Sequence, residues 1–158
     1  MRGAADLFIA GDWGTSRLRL YLCASYGDDR PAQILAETEG PGVKDTSDFS
    51  ACFMDAVRLL PVHASSPPVY LVGMAGSSLG WKETPYAPCP AGWRAFASLA
   101  ERVHCGGYDI AILPGAACVN RFGLPDMMRG EETQPSGWRK GPDRPPPLLA
   151  CLPGTHVK

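Results

Sequence analysis

The sequence has no Cys-x-x-Cys pair, no spaced histidine cluster, no uninterrupted apolar run long enough to span a bilayer, and almost no net charge. Each absence removes a class of function. The cysteines stand at 23, 52, 89, 105, 118 and 151, and the closest two are thirteen positions apart, which excludes zinc-ribbon and thioredoxin spacing. They read as free, mostly buried thiols. His63, His104 and His156 have no metal-ligand spacing. Fifteen Lys and Arg against sixteen Asp and Glu leave a net charge of −1, so neither nucleic acid nor an anionic membrane is expected as a partner. Residues 59–81 carry no Asp, Glu, Lys or Arg, yet Pro61, Pro67, Pro68 and several Gly and Ser break them up, against a spanning helix. Asp6 precedes an apolar stretch of only four residues, Leu7 to Ala10, too short for a signal-peptide core. A cytoplasmic location is expected.

What remains is material for about one domain on an allowance of roughly 100–200 residues per domain: 158 residues, 45% hydrophobic and 20% charged. Eighteen Gly and sixteen Pro make it turn-rich. Phe8-Ile9-Ala10 leads to a turn at Asp12 to Thr15, and Arg17 to Leu22 then alternates with period two, the signature of a hairpin. In that strand Leu18, Leu20 and Leu22 face a core while Arg17, Arg19 and Tyr21 share the other face. Residues 32–38 supply a third strand before Gly40-Pro41-Gly42. From Asp45 onward, Phe49, Cys52, Phe53, Ala56, Val57 and Leu60 recur at helical spacing, with Thr46 or Ser47 as cap and Pro61 as stop. Val69 to Val72 reads as a strand, 93–104 as a helix, and Asp109 to Leu113 as another strand. A further helix is expected to begin near Pro125-Asp126, because Pro and an acid suit a first turn.

Three strands followed by helix, strand, helix, strand and helix predict an α/β layer fold with a mixed sheet over residues 1–134. Residues 135–147 contain five Pro and two Gly and read as a linker or mobile loop. Residues 148–158 then look like the start of a second domain, with a strand at Leu148 to Leu152 and a turn at Pro153 to His156. A strand with nothing after it to pair with suggests that the rest of that domain is missing.

Four segments can carry chemistry. In Asp12-Trp13-Gly14-Thr15-Ser16-Arg17 an acid ending a strand can hold hydrated Mg²⁺, Gly14 admits a phosphate close to the backbone, Thr15 adds donors and Arg17 a cation. The same residues also suit an ordinary hairpin turn. Leu152 to His156 repeats the strand and Gly-Thr grammar, so Gly154 and Thr155 could form a second phosphate turn, or one more strand end. In Pro125 to Gln134, Asp126 at a helix start could accept a hydroxyl proton and Arg129 could pair with a carboxylate; a solvated charged helix is the plainer reading. Gly73 to Glu83, with Pro85-Tyr86 and Cys89-Pro90, offers hydroxyls and rings for a polyol, or a structured loop.

Taken together, Asp12-Trp13-Gly14-Thr15, Gly76-Ser77 through Gly80-Trp81-Lys82-Glu83, Pro85-Tyr86, Cys89-Pro90-Ala91, Pro114-Gly115, Met128 to Gln134 and Leu152 to His156 resemble the 2-dehydro-3-deoxygalactonokinase family, a branch of the sugar-kinase, hsp70 and actin superfamily. The resemblance implies ribonuclease-H-like (actin-like ATPase) domains with ATP between them, and Mg²⁺-assisted phosphorylation of the 6-hydroxyl of 2-dehydro-3-deoxy-D-galactonate in galactonate breakdown. It makes Asp126 the expected general base and Asp12 the metal ligand. Asp12, Gly14, Thr15, Arg17, Gly154 and Thr155 would meet ATP, and Gly76, Ser77, Trp81, Tyr86, Arg129 and Glu131 the sugar acid. Asp12, Gly14 and Thr15 should then share a cleft wall with Asp126. Family members are about twice as long, Val157 stands where Ser usually follows the His, and Pro135 and Gly137 interrupt a helix that the family continues. The expected protein is therefore an N-terminal half, with a homodimer or a separate C-terminal half as possible partner. The alternative is a non-catalytic domain that binds the sugar acid or another subunit.

Overall fold

The computed structural model describes residues 5–27, 30–62 and 66–134, and within them period-two alternation builds the central layer. β1 (Asp6–Trp13), β2 (Arg17–Ser25) and β3 (Gln33–Pro41) form an antiparallel meander. Leu18, Leu20 and Leu22 are buried while Arg17, Arg19 and Tyr21 alternate with them toward the other face. The third strand runs on through Gly40 and Pro41 instead of turning there.

After a 3₁₀ turn at Val43–Asp45, α1 (Phe49–Val57) crosses the sheet. Its cap is Asp48, just beyond the expected Thr46 or Ser47: the Ala51 amide donates to Asp48 Oδ1 at 2.9 Å, whereas the Thr46 hydroxyl donates to the Gly42 carbonyl. Phe53, Ala56 and Val57 lie buried against the sheet. The crossover delivers β4 (Val69–Gly73) parallel to β1, from Ile9↔Val69 to Trp13↔Gly73. Edge-on and tilted ring contacts of Phe53 with Tyr108 and Trp81, and of Trp13 with Phe49 and Trp81, fill this core.

The second half departs from the expected alternation. β5 (Tyr86–Pro88) and α2 (Trp93–Ser98) come next; the helix expected over 93–104 stops early because 101–105 is a strand, β6 (Glu101–Cys105). Gly106 and Gly107, both at positive φ (57° and 84°), close a two-residue hairpin that pairs β6 with β7 (Tyr108–Ile112) from Cys105↔Tyr108 onward. Ladder bonds thus outweigh the helical spacing of Phe96, Leu99 and Val103. β8 (Gly115–Val119) and β9 (Pro125–Met128) form a second hairpin, in place of the helix expected at Pro125-Asp126. Asn120 decides this: its Oδ1 accepts from the amides of Phe122 and Leu124 and turns the chain back on itself, leaving Pro125 at the head of an edge strand, where a missing N–H costs little.

The outcome is a mixed α/β fold: a six-stranded sheet ordered β3-β2-β1-β4-β7-β6, and a three-stranded sheet ordered β5-β8-β9. Ile9, Trp13, Leu18, Leu20, Leu71, Ile110 and Ile112 are wholly buried on the α1 side of the large sheet; Ala87, Phe96 and Ala116 form a smaller core under the second. Of the five described cysteines only Cys23 is buried and all are free, while Cys89 and Cys118 are exposed, so the expectation of mostly buried thiols fails. No described helix is long and apolar enough to cross a membrane. Residues 135–158, including the expected linker, Gly154 and Thr155, lie outside the described residues.

Replacing Asp48 with Ala should cost about 1 kcal/mol of stability through loss of the α1 cap, while Ser47→Ala should be nearly neutral; urea unfolding of the two variants measures the contrast.

Candidate functional site

β1, β4 and β7 run parallel, so their carboxyl ends lie at one edge of the large sheet, where ligand crevices form in such sheets. The turn after β1 is held from behind. The Val43 and Lys44 amides donate to the carbonyls of Gly14 and Thr15, each at 3.1 Å. In a trans peptide the next N–H points opposite to the carbonyl, so the amides of Thr15 and Ser16 face away from residues 43–44. Gly42 permits this contact: a Cβ on it would stand 2.3 Å from the Thr15 carbonyl oxygen. The turn is therefore a fixed set of outward amides, the form that backbone anion sites take.

Facing it is the turn that leaves β9. Gly73 ends β4 at φ +87°, ψ −150°, a conformation reserved for glycine. Gly130, at φ +108°, packs so closely that a Cβ on it would lie 3.1 Å from the Gly73 Cα. Two carboxylates fold back onto this turn: Glu131 Oε2 accepts from the Arg129 amide at 3.0 Å, and Glu132 Oε2 from the Gly130 amide at 2.7 Å. Between the two turns opens a cavity of about 510 Å³ lined by Asp12, Gly14, Thr15, Tyr21, Gly73, Arg129, Gly130, Glu131, Thr133 and Gln134, with Val72 and Met74.

Arg129 is fixed by neutral partners. Nη1 and Nη2 donate to the hydroxyl and carbonyl of Thr84, Nε donates to Tyr86 Oη at 3.3 Å, and the guanidinium carbon sits 4.1 Å from the centre of the Tyr86 ring. Among the described residues it makes no ion pair. A cation on a cavity wall whose guanidinium hydrogen bonds all go to neutral partners is suited to an anionic group of a ligand. Two acids near the cavity carry a desolvation cost. Burial pushes the Asp12 carboxyl above its ordinary range, Arg19 across the β1–β2 pairing opposes the shift, and Glu131 adds to it. Glu132 is buried and pushed up to about 7, chiefly by desolvation, with its own amide, the Gly130 amide and Arg129 opposing and Glu131 reinforcing.

Of the residues expected from sequence, Asp12, Gly14, Thr15, Arg129 and Glu131 meet at this cavity. Gly76 and Tyr86 stand behind it and touch Arg129. Ser77 is turned inward, its hydroxyl donating to the Met74 carbonyl at 2.8 Å. Trp81 packs into the core against Trp13 and Phe53. Arg17 is paired with Glu39 at 3.3 Å, both more than half exposed, and is absent from the cavity wall. Asp126 is exposed on β9 opposite Cys118; it stands at no helix start and does not line the cavity, so the shared wall expected of it with Asp12 is not formed. Thr84 carries no sequence signal, because a single threonine between Glu83 and Pro85 belongs to no pattern. Glu132 was visible only as part of the Met128 to Gln134 run.

Residues 12–158 match the family model described as 2-keto-3-deoxy-galactonokinase. The chain is 35% identical over 158 residues to the "Probable 2-dehydro-3-deoxygalactonokinase DgoK1" of Rhizobium meliloti (strain 1021), taking in 98% of this chain and 49% of that protein. It is 35% identical over 151 residues to the 2-dehydro-3-deoxygalactonokinase of Escherichia coli (strain K12), with 96% and 48% covered. A solved structure, "Crystal structure of a putative 2-dehydro-3-deoxygalactonokinase protein from Sinorhizobium meliloti", superposes with a TM-score of 0.74 at 35% identity, over 95% of this chain and 47% of that one. The chain spans about half the length of the curated relatives it matches.

Glu132 gives the fold a pH dependence of defined sign. Its folded value, about 7, lies above the ordinary 4.5, so the stability tied to its neutral form is fully present below 4.5 and is lost as pH rises through about 7. Unfolding free energy should fall across that window and Glu132→Gln should flatten most of the fall; an unchanged slope in the variant refutes the assignment.

Proposed function

We propose, on the premise that this chain belongs to the 2-keto-3-deoxy-galactonokinase family, that it is the sugar-acid-binding half of an ATP-dependent kinase acting on the 6-hydroxyl of 2-dehydro-3-deoxy-D-galactonate. The observation that carries this reading is the cavity in which the amide turn after Asp12 faces Arg129 and Glu131. One wall suits phosphate and the other suits a carboxylate. The ribonuclease-H-like assignment is part of the proposal, supported by the order β3-β2-β1-β4-β7 with β1, β4 and β7 parallel and β2 antiparallel.

Magnesium fits the residues present. Asp12 and Glu131 line one cavity, and burial raises the free energy of the ionised Asp12 carboxylate, which a cation would lower. No group of three or more His, Cys, Asp or Glu among the described residues forms a metal cage, in keeping with an ion held by one or two carboxylates and substrate phosphates. When bound, Mg²⁺ neutralises charge on the transferred phosphoryl group. Asp12 would hold that ion through its carboxylate. The Thr15 amide would orient phosphate oxygens, and Gly14 keeps the backbone open to them. Arg129 fixes the sugar acid through its carboxylate. Glu131, which lines the cavity, would take the role of proton acceptor in place of Asp126, which does not line it.

A non-catalytic sugar-acid binder is the second reading, favoured by the absence of Asp126, the expected general base, from the cavity lining. Melting of the chain with and without 2-dehydro-3-deoxy-D-galactonate, alongside ADP release with ATP and Mg²⁺, separates the two. Stabilisation with ADP release supports the kinase, and stabilisation without it supports the binder. Arg129→Ala should weaken sugar-acid binding about tenfold or more. A chain that neither binds the acid nor releases ADP overturns both readings.

A further inference from the structure

We infer that Thr84, a residue outside the cavity wall, is the positioning residue that presents the Arg129 guanidinium to an anionic group of the substrate. The inference rests on the reading of Arg129 given above. Thr84 is 2% exposed. Its hydroxyl stands 3.1 Å from the Gly76 carbonyl and 3.4 Å from the Leu113 carbonyl, and these come from the segments that follow β4 and β7. A hydroxyl has one proton to give and lone pairs to receive with. The two carbonyls take the proton, so the oxygen presents a lone pair to Arg129 Nη1, while the Thr84 carbonyl takes Nη2 at 3.0 Å.

One residue therefore grips both terminal nitrogens of the fork, much as a carboxylate would, but without negative charge. A carboxylate in this place would cancel the guanidinium's charge; Thr84 aligns the group and leaves the charge for a ligand. Tyr86 occupies the Nε–H and one face of the fork. Of the five N–H donors of an arginine, one on each terminal nitrogen remains. The space for this arrangement is supplied by Gly76, where a Cβ would stand 2.5 Å from Thr84 Oγ1 and 2.9 Å from Arg129 Nη1. A long side chain that would otherwise sample many rotamers is thus fixed before a ligand arrives, which removes an ordering cost from binding.

The test compares the full chain with Thr84→Val, which keeps the shape and removes the hydroxyl, and Thr84→Ser, which restores it. Affinity for 2-dehydro-3-deoxy-D-galactonate is measured by calorimetry, and the Arg129 Nε–H resonance by NMR. Thr84→Val should bind about tenfold more weakly, with its Arg129 resonance shifted toward that of a free arginine, and Thr84→Ser should recover both. In an Arg129→Ala background Thr84→Val should cause no further loss, because Thr84 acts only through the arginine. Affinity within about twofold of wild type in Thr84→Val, or an equal loss in both backgrounds, overturns the inference. Should Thr84→Val fail to melt cooperatively, Arg129→Lys decides: it keeps the charge and loses the fork, so wild-type affinity in that variant overturns the inference and a similar loss supports it. If wild type does not bind the acid, the functional reading falls on its own. The Arg129 resonance in wild type against Thr84→Val then decides the positioning role.

Discussion

The contact between Gly73 and Gly130 is the constraint on which the rest of the site depends. A side chain at Gly130 would hold the two sheets apart, standing 3.1 Å from the Gly73 Cα, and one at Gly73 would collide with the end of β1, 2.9 Å from the Trp13 carbonyl oxygen and 3.1 Å from Asp12 Oδ1. Both residues also use positive φ, so hydrogen as a side chain is needed for conformation and for clearance alike. The approach carries the small sheet's exit turn to the ends of β1 and β4. Only then do Arg129 and Glu131, from one sheet, face Asp12 and Thr15 from the other.

That meeting sets the electrostatics. Asp12, Glu131 and Glu132 crowd three acids near one cation, and burial raises Asp12 and Glu132. Amides absorb part of the load, since Glu131 and Glu132 each accept from the backbone of their own turn. Arg129 gives its own hydrogen bonds to a threonine and a tyrosine instead. The cavity region thus brings carboxylates and a guanidinium together, a charge arrangement suited to a small polar ligand.

Much of the large sheet was legible from sequence because its burial is one-sided. Leu18, Leu20 and Leu22 alternate with Arg17, Arg19 and Tyr21, and Phe53, Ala56 and Val57 fall on one helical face. The small sheet was not legible. Its strands are only three to five residues long, and β9 carries a proline and an acid that favour a helix start as strongly as an edge strand. Val103 and Leu99 gave the same spacing for a helix that Gly106 and Gly107 convert to a hairpin. Asp12, Gly14 and Thr15 were legible as one turn because Asp, Gly and Thr act through local backbone. Thr84 was not, because its task exists only after the ends of β4, β7 and β9 have come together; Trp81 and Arg17 were assigned to a ligand when the folded chain offers them Trp13 and Glu39.

The strand order also has a bearing on biosynthesis. β1 can zip to β2 as soon as the first hairpin leaves the ribosome, but its other edge waits for Val69 to Gly73, and β4 in turn waits for Ile110 to Ile112. Most of the described chain must emerge before the hydrophobic interior can close. Until then the nascent meander presents an open β1 edge and the greasy faces of Leu18, Leu20 and Leu22, the kind of surface that chaperones shield during translation.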